Sequence, residues 1–164
     1  MRGFTILEVM FSIAVIVLAL GAVLTLASFS ASIIPITSQK LIATYLAQEG
    51  IETVRNIRDS NWLRDINWRG AAEIGLVPNG DFEADYGSSG LVQVYGGNFL
   101  RIDSNGYYNY TSGNQTKFQR KISVSDNADA DPATEDIKIV SLVMWQEKQR
   151  NYSVTAEAWL YNWK

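Results

Sequence analysis

The sequence predicts an α+β fold, a long N-terminal helix packed on a C-terminal antiparallel β-sheet, and three patterns in the chain lead there. Residues 4–34 are an almost unbroken apolar run. Residues 35–61 place apolar side chains at three- and four-residue steps, and residues 117–164 hold segments in which apolar and polar side chains alternate. The length of 164 residues suits one compact domain with a non-globular element attached.

The apolar run comes first. Up to Ile34 the only charges are Arg2 and Glu8, and between Val9 and Ala27 only Ser12 and Thr25 are polar. At 1.5 Å per residue that last stretch rises about 28 Å as a helix, close to the roughly 30 Å of a bilayer's hydrocarbon core. A cleaved secretory signal has a shorter apolar region of about 7 to 15 residues. A plain single-pass anchor fits the length but leaves Glu8 unexplained. A carboxylate inside an apolar helix costs about 2.5 to 3.5 kcal/mol at mid-bilayer, so it marks a functional position, whereas the same residue at the interface would simply reach water.

The stretch Gly3-Phe4-Thr5-Ile6-Leu7-Glu8-Val9-Met10 resembles the processing motif of type IV prepilins and pseudopilins. The resemblance covers residues 1 to about 30 and implies a pilin-like fold, with residues 1–3 as a leader peptide. It makes Gly3 the residue before the scissile bond, Phe4 the N-methylated new N-terminus and Glu8 the assembly carboxylate. A neighbouring subunit's Glu8 would neutralise the Phe4 amine inside a helical bundle, where an unpaired charge is heavily penalised. The leader Met1-Arg2-Gly3 is shorter and less basic than is usual, and Arg2 suits an N-in, C-out topology. The partners implied are other pilin subunits, a prepilin peptidase/N-methyltransferase, the pilus assembly machinery and the cytoplasmic membrane. A rival from another class is a membrane-anchored extracytoplasmic binding module outside any filament.

Residues 4–34 are thus expected to be a transmembrane or filament-core helix and residues 35–61 its amphipathic half, with Leu46, Ala47, Gly50, Ile51, Val54 and Ile57 on one face. Glu52 and Arg55 form an i,i+3 pair, and Asp59-Ser60-Asn61 favours an end. Pro35 should kink the helix. At Gly21 two readings stand side by side, a local loss of helix of the pilin kind and close helix packing.

Residues 62–116, punctuated by glycines, read as a variable region of loops and short strands, with Leu91–Tyr95 and Phe99–Asp103 as strands. Residues 117–164 read as the sheet. Phe118, Arg120, Ile122 and Val124 share one face of a strand, Ile137–Gln146 is a β-branched run, and Tyr152–Tyr161 alternates again after a five-residue connection, Glu147–Asn151. Val154, Ala156, Ala158 and Leu160 would meet the helix, with Trp159 and Tyr161 opposite and Trp145 and Trp163 nearby.

Composition limits the chemistry. There is no Cys and no His, which removes disulfides, thiolate metal sites and imidazole catalysis, and a net charge of −3 without a basic cluster gives no footprint for nucleic acid. Phosphate loops, nucleophile elbows and paired carboxylates do not stand out, so a non-enzyme without cofactor is expected. Asp126, Asp129 and Asp131 offer hard oxygen ligands to calcium, but Pro132 breaks the EF-hand template and a solvated loop is the favoured reading. Asn109, Asn114 and Asn151 head glycosylation triplets, a short pattern on which no weight is placed.

Overall fold

The computed structural model describes residues 3–70, 75, 77–91, 93–126 and 136–162. Among these residues one helix, α1 (Ile6–Leu63), precedes six strands: β1 (Gly80–Phe82), β2 (Phe99–Ile102), β3 (Tyr108–Asn109), β4 (Asn114–Asp126), β5 (Ile137–Glu147) and β6 (Arg150–Leu160). The chain divides into two compact units, residues 1–39 and residues 40–164.

The first unit holds the apolar part of α1. Every described side chain from Phe4 to Ile34 is exposed, and the stretch is long and apolar enough to cross a membrane. Its polar side chains between Val9 and Ala27 are satisfied within the helix: Ser12 Oγ donates to the Glu8 carbonyl and Thr25 Oγ1 to the Gly21 carbonyl, both at 2.8 Å. Such i−4 bonds remove the cost of a hydroxyl in hydrocarbon. The helix assignment runs through Gly21 and Pro35 without a break, so of the two readings at Gly21 the local loss of helix is not found, and Pro35 lies inside one continuous helix. Around Gly21 a Cβ would meet nothing within 4 Å, so the close packing considered there has no partner among the described residues.

The second unit packs the remainder of α1 on the sheet. All pairings are antiparallel, in the order β3-β2-β4-β5-β6, and β1 pairs with the part of β4 that lies beyond β2. Ala43, Leu46, Ala47, Ile51, Val54 and Ile57 are buried and meet Phe118, Ile122, Val124, Ile137, Ile139 and Val143 from the sheet. The expected inner face of β6 is found: Val154, Ala156 and Ala158 pack on this core and Leu160 belongs to it. Small residues set the spacing. A Cβ on Gly50 would collide with Ser141 Oγ and lie 3.2 Å from Arg120 Cδ, so only glycine lets α1 approach here.

The helix ends at Leu63, just past the Asp59-Ser60-Asn61 stretch where the sequence suggested it would fade. Asp65 takes a left-handed φ of 56°, with Asp65 N–H bonded to the Trp62 carbonyl and Ile66 N–H to the Asn61 carbonyl, the Schellman arrangement that satisfies orphan carbonyls. The buried Asn61 amide donates to the carbonyls of Trp68 (3.0 Å) and Gly75 (2.8 Å) and pins the chain that leaves the helix.

Three expectations need correction. The described residues of 91–95 form no strand: among them is one bridge, Val94 to Phe82, flanked by Glu83 N–H to the Gln93 carbonyl and Tyr95 N–H to the Asp81 carbonyl. The Glu83 carboxylate takes the N–H groups of Gly96 and Asn98 and the amides of Gln93 and Asn98, which shapes the segment without a ladder. The connection between the last strands is Lys148-Gln149, not five residues, with φ of 48° and 64° as a type I′ hairpin requires. Trp145 lies on the inner face with Trp159 opposite; it is buried against Phe118 and stacked on Tyr152 with centroids 5.6 Å apart. Trp163 lies outside the described residues.

Candidate functional site

The N-terminal motif is built on the first turn of α1. Thr5 stands immediately before Ile6 and its Oγ1 accepts the N–H of Glu8 at 3.3 Å, while the Thr5 carbonyl accepts the N–H of Val9 at 3.2 Å. Thr-x-x-Glu at this position is the sequence of a capping box, with Thr5 as N-cap and Glu8 at the third helical residue. A carboxylate in the first turn also faces the positive end of the helix dipole. Two physical demands therefore meet in one spacing: threonine and glutamate start the helix, and they start it directly behind Gly3-Phe4. Phe4 is 83% exposed, Glu8 is exposed, and a Cβ on Gly3 would meet nothing within 4 Å, so the backbone around Gly3 and Phe4 is uncrowded.

In the second unit the polar centre is Arg120, which is fully buried. Its guanidinium donates to the Leu46 carbonyl on α1 at 3.0 Å and to the Ala84 carbonyl at 2.5 Å, and it lies 3.3 Å from Glu49 Oε1. Tyr110 donates its hydroxyl to the Arg120 carbonyl at 3.1 Å. Burial pushes the Tyr110 phenol up to about 12, against the opposing pull of Arg120. Sequence reasoning placed Arg120 on the apolar face of its strand but named no partners for it, because they come from α1 and from the Ala84 loop.

The acidic candidates separate. The Asp126 carboxylate bonds the Asn79 amide and Arg69 (2.6 Å), and these bonds hold its pKa below the usual carboxylate range, the Asn79 contribution being the larger. It ties the residues following α1 to the end of β4. Asp129 and Asp131 lie outside the described residues, and among the described residues no group of three acidic side chains converges on a metal position. Asn109 is buried, with its Oδ1 accepting the N–H groups of Thr111 and Ser112 at 2.9 and 2.7 Å, so its amide closes a turn and is not presented for glycosylation. Asn114 and Asn151 are exposed.

Comparison with protein-family models, with curated proteins and with solved structures finds no match to this chain.

Proposed function

We propose that the chain is a structural subunit of a type IV pilus or of a type II secretion-like pseudopilus, processed after Gly3 and assembled through its N-terminal helix. The observation that carries this reading is the Gly3-to-Glu8 motif at the head of a helix whose apolar side chains are all exposed through Ile34. A monomer that leaves so much apolar surface bare needs another apolar environment, first lipid and then neighbouring helices. With Ser12 and Thr25 satisfied internally, Glu8 is the polar group whose desolvation calls for an outside partner, and a cationic Phe4 amine of the next subunit meets that need.

On this reading the chain sits in the cytoplasmic membrane with its N-terminus inside and residues 40–164 outside, and then enters an extracellular pilus or a pseudopilus of the cell envelope. Its partners are other pilin subunits, alike or different, together with the prepilin peptidase/N-methyltransferase and the assembly machinery. It acts on no substrate and takes no cofactor.

The first test is the intact mass and terminal sequence of the membrane-extracted protein, expressed with and without a prepilin peptidase. A chain beginning at methylated Phe4 only when the enzyme is present is the expected result; retention of residues 1–3 in both cases sinks the reading. Glu8→Ala should insert into the membrane at wild-type level yet enter filaments poorly, as counted by immunogold labelling of sheared fibres. The alternative, an anchored extracytoplasmic binding module, is favoured by one observation, a preformed polar crevice in the second unit, and predicts an unprocessed N-terminus.

A further inference from the structure

The crevice lies between residues 83–90 with Gln93 on one side and residues 109–112 on the other, and has a volume of about 450 Å³, within the range of roughly 300 to 1,000 Å³ usual for small-molecule sites. Its walls are held from both sides by one carboxylate. Asp85 Oδ1 accepts the Gly87 N–H at 3.0 Å and the Ser88 hydroxyl at 3.3 Å, while Oδ2 accepts the Tyr110 N–H from the opposite wall at 3.3 Å. The Asn109 turn stiffens that opposite wall, and Glu83, fully bonded, stiffens the near one. Beneath them Arg120 clamps the Ala84 carbonyl. A cavity whose walls are set before anything enters it loses little entropy on binding.

Its chemistry is selective. Among the described residues no Lys or Arg lines it, and Glu83 and Asp85 disfavour an anion. Both carboxylates already accept several hydrogen bonds, so a bare metal ion would have to displace the N–H groups that form the walls. What remains is a set of hydroxyls: Ser88, Thr111 and Ser112, whose protons are turned to Asp85 and Asn109, offer acceptor oxygens, and the exposed Ser89 can donate as well as accept. At the lip Tyr86 is 59% exposed and packs against Tyr107, itself 57% exposed, with ring centroids 5.2 Å apart. A flat aromatic face beside a hydroxyl-lined hollow matches a ring with C–H groups on one side and hydroxyls around its rim.

We infer that this crevice is a binding site for a neutral saccharide, its sugar ring resting on Tyr86 and its hydroxyls exchanging hydrogen bonds with Asp85, Ser88, Ser89 and Thr111. The assignment is independent of the N-terminal motif and holds whether or not the chain enters a filament.

The test uses the full chain in a detergent without a sugar headgroup, and saturation-transfer NMR with glucose, galactose, N-acetylglucosamine and maltose at millimolar concentration. N-acetylneuraminate serves as the anionic probe and putrescine as the cationic one. At least one neutral sugar should receive saturation, strongest on its ring C–H protons, and the anion should receive none. Tyr86→Ala should weaken that signal about fivefold or more through loss of the stacking face. Ser89→Leu, at an exposed position, should block it by filling the crevice while leaving the near-ultraviolet circular dichroism unchanged. Absence of transfer to every neutral sugar overturns the assignment. So does transfer that survives both substitutions, or a site that takes putrescine in preference to sugar.

Discussion

Arg120 shows how one residue can hold three parts of a chain. Its side chain reaches the Leu46 carbonyl of α1 and the Ala84 carbonyl, and its own carbonyl takes the Tyr110 hydroxyl. Arg120→Ala would strand two buried carbonyls and open a cavity, and it should cost about 3 kcal/mol or more by urea unfolding. Arg120→Lys should recover only part of that, since an ammonium lacks the planar fork that reaches both carbonyls. Tyr110 gives a pH signature. Its phenol is raised from 10.0 to about 12, so the folded state keeps a proton that the unfolded chain has released. The stability it contributes is whole below pH 10 and falls as pH rises from 10 towards 12. Melting temperatures across that window should drop for the wild type and drop less steeply for Tyr110→Phe. Tyr108, whose phenol is also raised, by burial and then by the Glu49 charge, should add to the slope in the same direction.

At the level of elements, the β5–β6 hairpin closes through two left-handed residues that are neither glycine nor asparagine. A left-handed conformation costs an L-residue roughly 1 to 2 kcal/mol. Gln149→Gly should therefore stabilise the protein by about 1 kcal/mol, raising the melting temperature by about 2 to 6 °C in calorimetry; an unchanged or lower value would mean that the turn contributes no strain. The same hairpin shows what the sequence made legible. Alternation in Tyr152–Tyr161 assigned Val154, Ala156, Ala158 and Leu160 to the inner face correctly, because burial on one side of a strand writes a period of two into the residues. The turn was misjudged because Glu147-Lys148-Gln149-Arg150-Asn151 is polar throughout and lacks the Asn-Gly signal of a type I′ turn. Leu91–Tyr95 misled for the opposite reason: its residues suit a strand, but a distant carboxylate, Glu83, takes the nearby N–H groups. The capping role of Thr5 was readable in principle, since Thr-x-x-Glu before an apolar run is its signature. The crevice was not, because its walls meet only after the chain has folded.

For the whole molecule, the buried core of residues 40–164 begins at Ala43 and includes none of the residues before it. Deleting residues 1–39 should therefore leave the melting temperature of the remainder within a few degrees of the full chain in detergent, measured by near-ultraviolet circular dichroism. A large drop would show that the core draws support from the deleted part.

The independence of that core also has a bearing on how such a chain travels. A protein with a bare apolar helix faces a change of solvent whenever it moves from lipid to any other apolar company, and in most folds such a change would reach the interior. Here the interior is closed without the helix's first half. Transfer from one apolar medium to another then requires no refolding, only an exchange of neighbours along one segment.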